Sequence, residues 1–160
     1  MARAVRQTAK SDMKLLLLFS AVFILGLLLA GCNQTDSKFA VGGIYQPAAD
    51  HSSWAKQNQQ PRQSGAHNRF VTIYANESAN EVKQRGGSYK PGATILKETL
   101  TDRNSPEVEQ MFIMEKGTPG SAPRSNDWIW IVTDKTGKIT ASGEDAALNG
   151  KRCAICHAGS

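Results

Sequence analysis

The chain has 160 residues, with 19 Lys or Arg, 14 Asp or Glu and three Cys. That length holds one ordinary domain. Residues 1–31 carry four of the basic residues and one of the acidic ones, so the remainder is near charge balance. It has no Lys/Arg cluster, which excludes a nucleic-acid footprint.

At the N-terminus, Arg3, Arg6, Lys10 and Lys14 precede the apolar run Leu15–Gly31, the pattern of an export signal. Leu29-Ala30-Gly31-Cys32 resembles the lipobox of bacterial lipoproteins. The resemblance implies cleavage before Cys32, a diacylglycerol on its sulfur and an acyl chain on its new amino group. The alternative is an uncleaved anchor, for which the run is marginal against the ~20 residues a span needs. Either way, residues 33–160 are expected on the periplasmic side, and Asn33 in place of Asp favours the outer membrane. The expected organisation is a signal peptide at 1–31, a tether at 32–66 held to the bilayer through Cys32, and a single domain at 67–160.

Residues 33–66 are rich in Gln, Ser, Asn, Ala and Gly, the composition of a flexible tether. Within them, residues 48–59 around Trp54 are predicted to be helical. Regular alternation begins at Arg69 and predicts a strand through Ala75. Asn76 or Ser78 caps a helix running to Arg85; Ser78-x-x-Glu81 fits a capping box, and Gly86 stops it. Pro91-Gly92 is a turn, residues 94–101 are a second strand and residues 110–116 a third. The Pro- and Gly-containing stretch 117–126 is a loop, and 127–133 is the strongest strand. Asp134-Lys135-Thr136-Gly137 turns the chain into a short strand at 138–141. Residues 144–148 are predicted as a brief helix ended by Asn149-Gly150. The fold class is α+β: mainly an antiparallel β-sheet with a few helices.

The chain then reads Cys153-Ala154-Ile155-Cys156-His157. C-x-x-C-H is the attachment signature of a c-type haem. Two thiols three residues apart share one edge of a helical turn, so each can add to a haem vinyl group. The imidazole that follows folds under the ring and ligates the iron. A zinc site needs two further ligands, and only His51 and His67 remain as nitrogen donors. An exposed thiol pair beside an unrelated His is the other alternative. Bacterial haem attachment occurs outside the cytoplasmic membrane, so the motif agrees with the export signal. An ordinary small cytochrome c is helical, with its motif near the N-terminus. Here the haem is attached at the C-terminal end of a sheet domain.

The segments Phe70–Ala79, Lys90–Glu98, Met111–Lys116 and Asn126–Trp128, with the terminal C-x-x-C-H, stand in an order that resembles the cytochrome P-460 family and its relative cytochrome c′-beta. The resemblance covers about residues 67–160. It implies one haem c per chain, a homodimer, and five-coordinate iron with His157 as the proximal ligand. Lys97 matches the family's Lys that bonds a porphyrin meso carbon. The implied activity is that of a haem oxidoreductase: oxidation of hydroxylamine toward nitrous oxide, with electrons passed to a periplasmic acceptor. Cytochrome c′-beta implies instead nitric oxide binding under an apolar distal cap, without turnover. An electron-transfer cytochrome with six-coordinate haem is a third reading.

The residues alone leave roles open. Lys97 shares a strand face with Ile95 and Thr99; its amine points at the ring, or is solvated beside Glu98. Hydroxylamine chemistry wants a proton acceptor, and Glu115 is the candidate carboxylate unless it is an exposed strand end. Arg124 is the charged group of the loop before Trp128. Phe70, Phe112, Trp128 and Trp130 can line an apolar pocket or pack a core. Met111, Met114 and His67 are candidate iron ligands, or else two core methionines and a surface histidine.

Overall fold

The structure is a computed structural model and describes residues 37–104, 107–148 and 151–157. The expected export segment, Cys32 and Asn149-Gly150 lie outside the described residues.

A seven-stranded sheet forms the body. Strands β3 (Arg69–Ala75), β4 (Thr94–Leu100), β5 (Val108–Lys116), β6 (Trp128–Asp134) and β7 (Ile139–Gly143) follow one another as an antiparallel meander. Two short strands, β1 (Ala55–Lys56) and β2 (Arg62–Ser64), both pair with the outer edge of β3. Asn58 bridges the gap between them: its Oδ1 accepts from Ile73 N–H at 2.8 Å and its Nδ2 donates to the Val71 carbonyl at 3.0 Å. The fold class is therefore as expected, α+β and mainly antiparallel sheet.

Register divides the side chains between the two faces. Ile73, Lys97 and Phe112 lie opposite one another across β3–β4–β5, and Ile95, Met114 and Trp130 across β4–β5–β6. Cross-strand partners share a face, so these two rows form one surface. The intervening row, Tyr74, Leu96, Ile113 and Ile131, takes the other face. There Leu96, Ile113 and Ile131 join Tyr45, Ala48, Met111 and Ile139 in the main core.

Tyr45 and Ala48 come from the segment expected to be a tether. It is built into the fold from Ser37 onward. Gly42 N–H bonds the Ile139 carbonyl and Tyr45 N–H the Gly137 carbonyl, fastening the segment along β7. Tyr45 is fully buried, and Phe39 and Trp54 pack against the same core. The helix expected over 48–59 is only one turn, α1 (Pro47–Asp50), followed by a 3-10 turn at His51–Ser53 and then β1. The widely spaced apolar residues act as plugs over a sheet face, and their spacing produces no periodicity to read.

The second helix, α2 (Glu77–Arg85), is capped by Asn76, whose Oδ1 accepts from Ala79 N–H at 3.0 Å. Ser78 lies inside the helix, so the cap is Asn76 and not the Ser-x-x-Glu box. Gly86 ends it at φ 76°, a backbone state that favours glycine. The helix expected at 144–148 is instead a small hairpin, β8 (Ala147–Leu148) with β9 (Lys151–Arg152). A short segment with only two pairing residues per strand carries too little pattern to distinguish the two.

On the core face, His51 Nε2 lies 2.7 Å from Glu98 Oε1, and its Nδ1 meets the Ala48 carbonyl. Glu98 raises the His51 pKa above its usual value, against the effect of burial. A raised folded-state value stabilises the fold fully below the ordinary histidine pKa of about 6.5, and the contribution is lost as pH rises through the folded value. The stability lost in His51→Gln should therefore be greatest below about pH 6 and shrink above it. Denaturant melts of both proteins at stepped pH measure this difference; a gap that does not vary with pH would mean that His51 stays uncharged.

Candidate functional site

The C-terminal motif forms one helical turn, α3 (Cys153–Cys156), with His157 immediately after it. Cys153 N–H bonds the Ala146 carbonyl at 3.0 Å, tying the turn to the residue that leads into β8. Arg152 reaches Asp145 at 3.2 Å, and Asp145 also pairs with Arg124 at 2.8 Å. The loop before β6 thus holds the strand that delivers the motif. Cys153 and Ala154 pack on Met114, Trp128 and Trp130.

Between this turn and the sheet lies a cavity of about 350 Å³. Its sheet side is the surface built from the Lys97 and Ile95 rows: Ile73, Ile95, Lys97, Phe112, Met114 and Trp130. Cys153, Cys156 and His157 line the opposite side. The His157 ring lies 5.0 Å from that of Trp130. His67, from the loop between β2 and β3, completes the wall with its ring 4.5 Å from Phe112. Its Nε2 is 3.2 Å from Lys97 Nζ. Exposed Arg62 and Arg152 also line the opening.

Three basic groups in this cavity are pushed toward neutrality. Burial, then nearby Arg62, lowers the Lys97 pKa below the usual lysine range. Burial and Lys97 lower that of His157. Burial, Lys97 and His157 together push His67 down to about 4. Neutral His157 has the lone pair that an iron ligand needs. Burial raises the Cys153 thiol above its usual value.

These residues fit a haem. The cavity is apolar on its sheet side, as a porphyrin face requires. Two unpaired thiols and an imidazole stand at its edge in attachment order, and two guanidinium groups at the opening suit propionate carboxylates. Trp130 Nε1 and His67 Nδ1 are buried without hydrogen-bond partners, an arrangement that costs free energy in a site made only for packing.

Lys97, Cys153, Cys156 and His157 are brought together, and Glu115 is not. Glu115 faces the core side with Met111 and Ile113, following strand alternation on β5. Its carboxylate is held by Lys38 Nζ at 2.6 and 2.9 Å and by the Tyr45 hydroxyl. The role of distal proton acceptor expected for Glu115 is thereby contradicted by position. Of the four aromatics considered, Phe112 and Trp130 line the cavity. Trp128 stacks edge-on with Tyr89 at 5.1 Å, and Phe70 carries Arg103 at 5.6 Å. Met114 is in the cavity wall and Met111 in the core. Arg124 is committed to Glu144 and Asp145. Sequence reading missed Arg62, which sits on a strand too short to show a pattern. It also missed Arg152, although adjacency to Cys153 was a usable signal.

The family described as Cytochrome P460 has a model that matches residues 48–160 of this chain. No curated protein gives a match.

Because Glu115 bonds the buried Tyr45 hydroxyl, Glu115→Ala should lower stability by about 1–3 kcal/mol, the cost of an unpartnered buried polar group. The haem spectrum and any turnover should be unchanged. Denaturant melts and spectra of the purified variant check this; lost turnover at unchanged stability would return Glu115 to the site.

Proposed function

The chain belongs to the cytochrome P460 family, and we propose that it is a lipid-anchored, mono-haem oxidoreductase acting on hydroxylamine, or on nitric oxide species, in the bacterial periplasm. Family membership makes haem c the cofactor. Cys153 and Cys156 hold it and His157 ligates the iron, one haem for the one C-x-x-C-H in the chain. When bound, the haem supplies a redox-active iron with an exchangeable coordination position.

Lys97 carries the reading. Its amine is half-buried in the cavity opposite the attachment turn, on the face away from Glu98. Burial favours its neutral, nucleophilic form. There it can bond the porphyrin edge as the matching Lys of the family does. The apolar walls would shield a bound ring from water, and Arg62, with Arg152 beside it, would face its carboxylates. The proposed partners are a periplasmic electron acceptor, a second copy of the chain in a homodimer, and the outer-membrane lipid through Cys32.

One observation favours a second reading, nitric oxide binding without turnover. Among the described residues, none that lines the cavity is an Asp or Glu, so no carboxylate is at hand to take the protons of an oxidised amine.

Lys97→Arg decides between them. Arg keeps the charge but lacks the primary amine. The variant should keep its thioether-bound haem, shift a red-displaced Soret band back to that of an ordinary haem c, and lose hydroxylamine oxidation. Identical spectra and turnover in wild type and variant would move the gas-binding reading to first place. For the anchor, the mature protein should begin at an acylated Cys32 and partition into detergent; an intact mass that retains residue 1 rules this out.

A further inference from the structure

We infer that His67 is the positioning residue for Lys97, holding its amine over the cavity in the orientation from which it reaches the porphyrin edge. The inference rests on the reading of Lys97 given above. Lysine has a long, flexible stem and many rotamers, so an amine with a fixed task needs a fixed partner. Glu98, its neighbour in sequence, points to the other face and is taken by His51. The bond at hydrogen-bond distance is to His67 Nε2, 3.2 Å from Nζ.

His67 is itself held in place. Ser64 pairs with Arg69 in the β2–β3 ladder, so residues 65–68 are a tight hairpin loop. Asn68 closes it at φ 49°. The imidazole rests on Phe112, 4.5 Å between centroids, and Phe112 lies directly across β4–β5 from Lys97. His67, Phe112 and Lys97 therefore form one contiguous group. A second cleft, of about 460 Å³ and lined by Asn68, Arg69, Thr99, Glu109 and Gln110, lies on the other side of His67 and Phe112. These two rings line both spaces and screen the amine from that polar surface. Pure packing does not explain the choice of histidine: its Nδ1 is buried with no partner, a cost that a phenyl ring would avoid.

The bond that Lys97 makes removes one proton from Nζ, one from the meso carbon and two electrons. A peroxide accepts all four and leaves as two waters. His67 holds the amine nitrogen but neither bonds to the ring nor takes up the electrons, and so acts through Lys97.

The test uses haem-loaded wild type, His67→Phe and His67→Gln. Peptide masses after digestion give the fraction of Lys97 linked to haem; the Soret position gives it independently, and denaturing-gel haem stain reports the thioethers. Loss of one hydrogen bond should cut the linked fraction about threefold to tenfold in His67→Phe, with thioether haem unchanged. His67→Gln, whose amide still reaches Nζ, should recover most of it. A packing role gives the reverse order, because Phe preserves the stack on Phe112 and Gln does not. Equal linkage in His67→Phe and wild type, or less in His67→Gln than in His67→Phe, overturns the inference alone. An unlinked wild type overturns both it and the reading of Lys97. If His67→Phe does not accumulate, His67→Leu compared with His67→Gln reads the same order.

Discussion

The alternation of side chains along β4, β5 and β6 is the constraint on which everything else depends. One set of rows faces the attachment turn and the intervening row faces the buried core. Because the strand period is two, a slip of one residue would exchange the faces. Lys97 would then enter the core and Glu98 the cavity. The core row prevents this: Leu96, Ile113 and Ile131 are each at most 2 % exposed beneath Tyr45 and Ala48. The segment around Tyr45 thus fixes, from the far side of the sheet, which residues the cavity presents.

The two faces also differ electrostatically. On the core face two ion pairs form among the described residues: Lys38 with Glu115, and His51 with Glu98. In the cavity Lys97, His67 and His157 have no acid among the described lining residues, and all three are held below their usual pKa values. Burial penalises the charged form of each base, which favours the lone pairs that ligation and bonding to a ring require.

Long alternating runs made β3 to β7 legible in the sequence, and the Asp134–Gly137 turn marked the β6–β7 hairpin. The attachment turn was legible from five residues. Alternation set Lys97 with Ile95 and Thr99 against Leu96 and Leu100, but with apolar residues on both faces only the family resemblance pointed its amine to the ring. Glu115 was misread for want of the same step: counting from Met114, or from Ile113, puts it on the core side. His67 could not be placed, since a loop histidine acquires its surroundings only when β2 folds back on β3. The segment 37–64 was hidden because isolated plugs such as Phe39, Tyr45 and Trp54 have no period. The β8–β9 hairpin was hidden because two-residue strands carry almost no pattern.

The proposed haem c, held by the terminal turn against the Lys97 face, is the centre of this picture. The most direct measurement is the mass of the purified chain under denaturing conditions, followed by that of its Cys153–Cys156 peptide. The expected result is a chain heavier by one haem, with the added mass on that peptide and neither thiol open to alkylation. A chain without added mass, with both thiols alkylated, would contradict it.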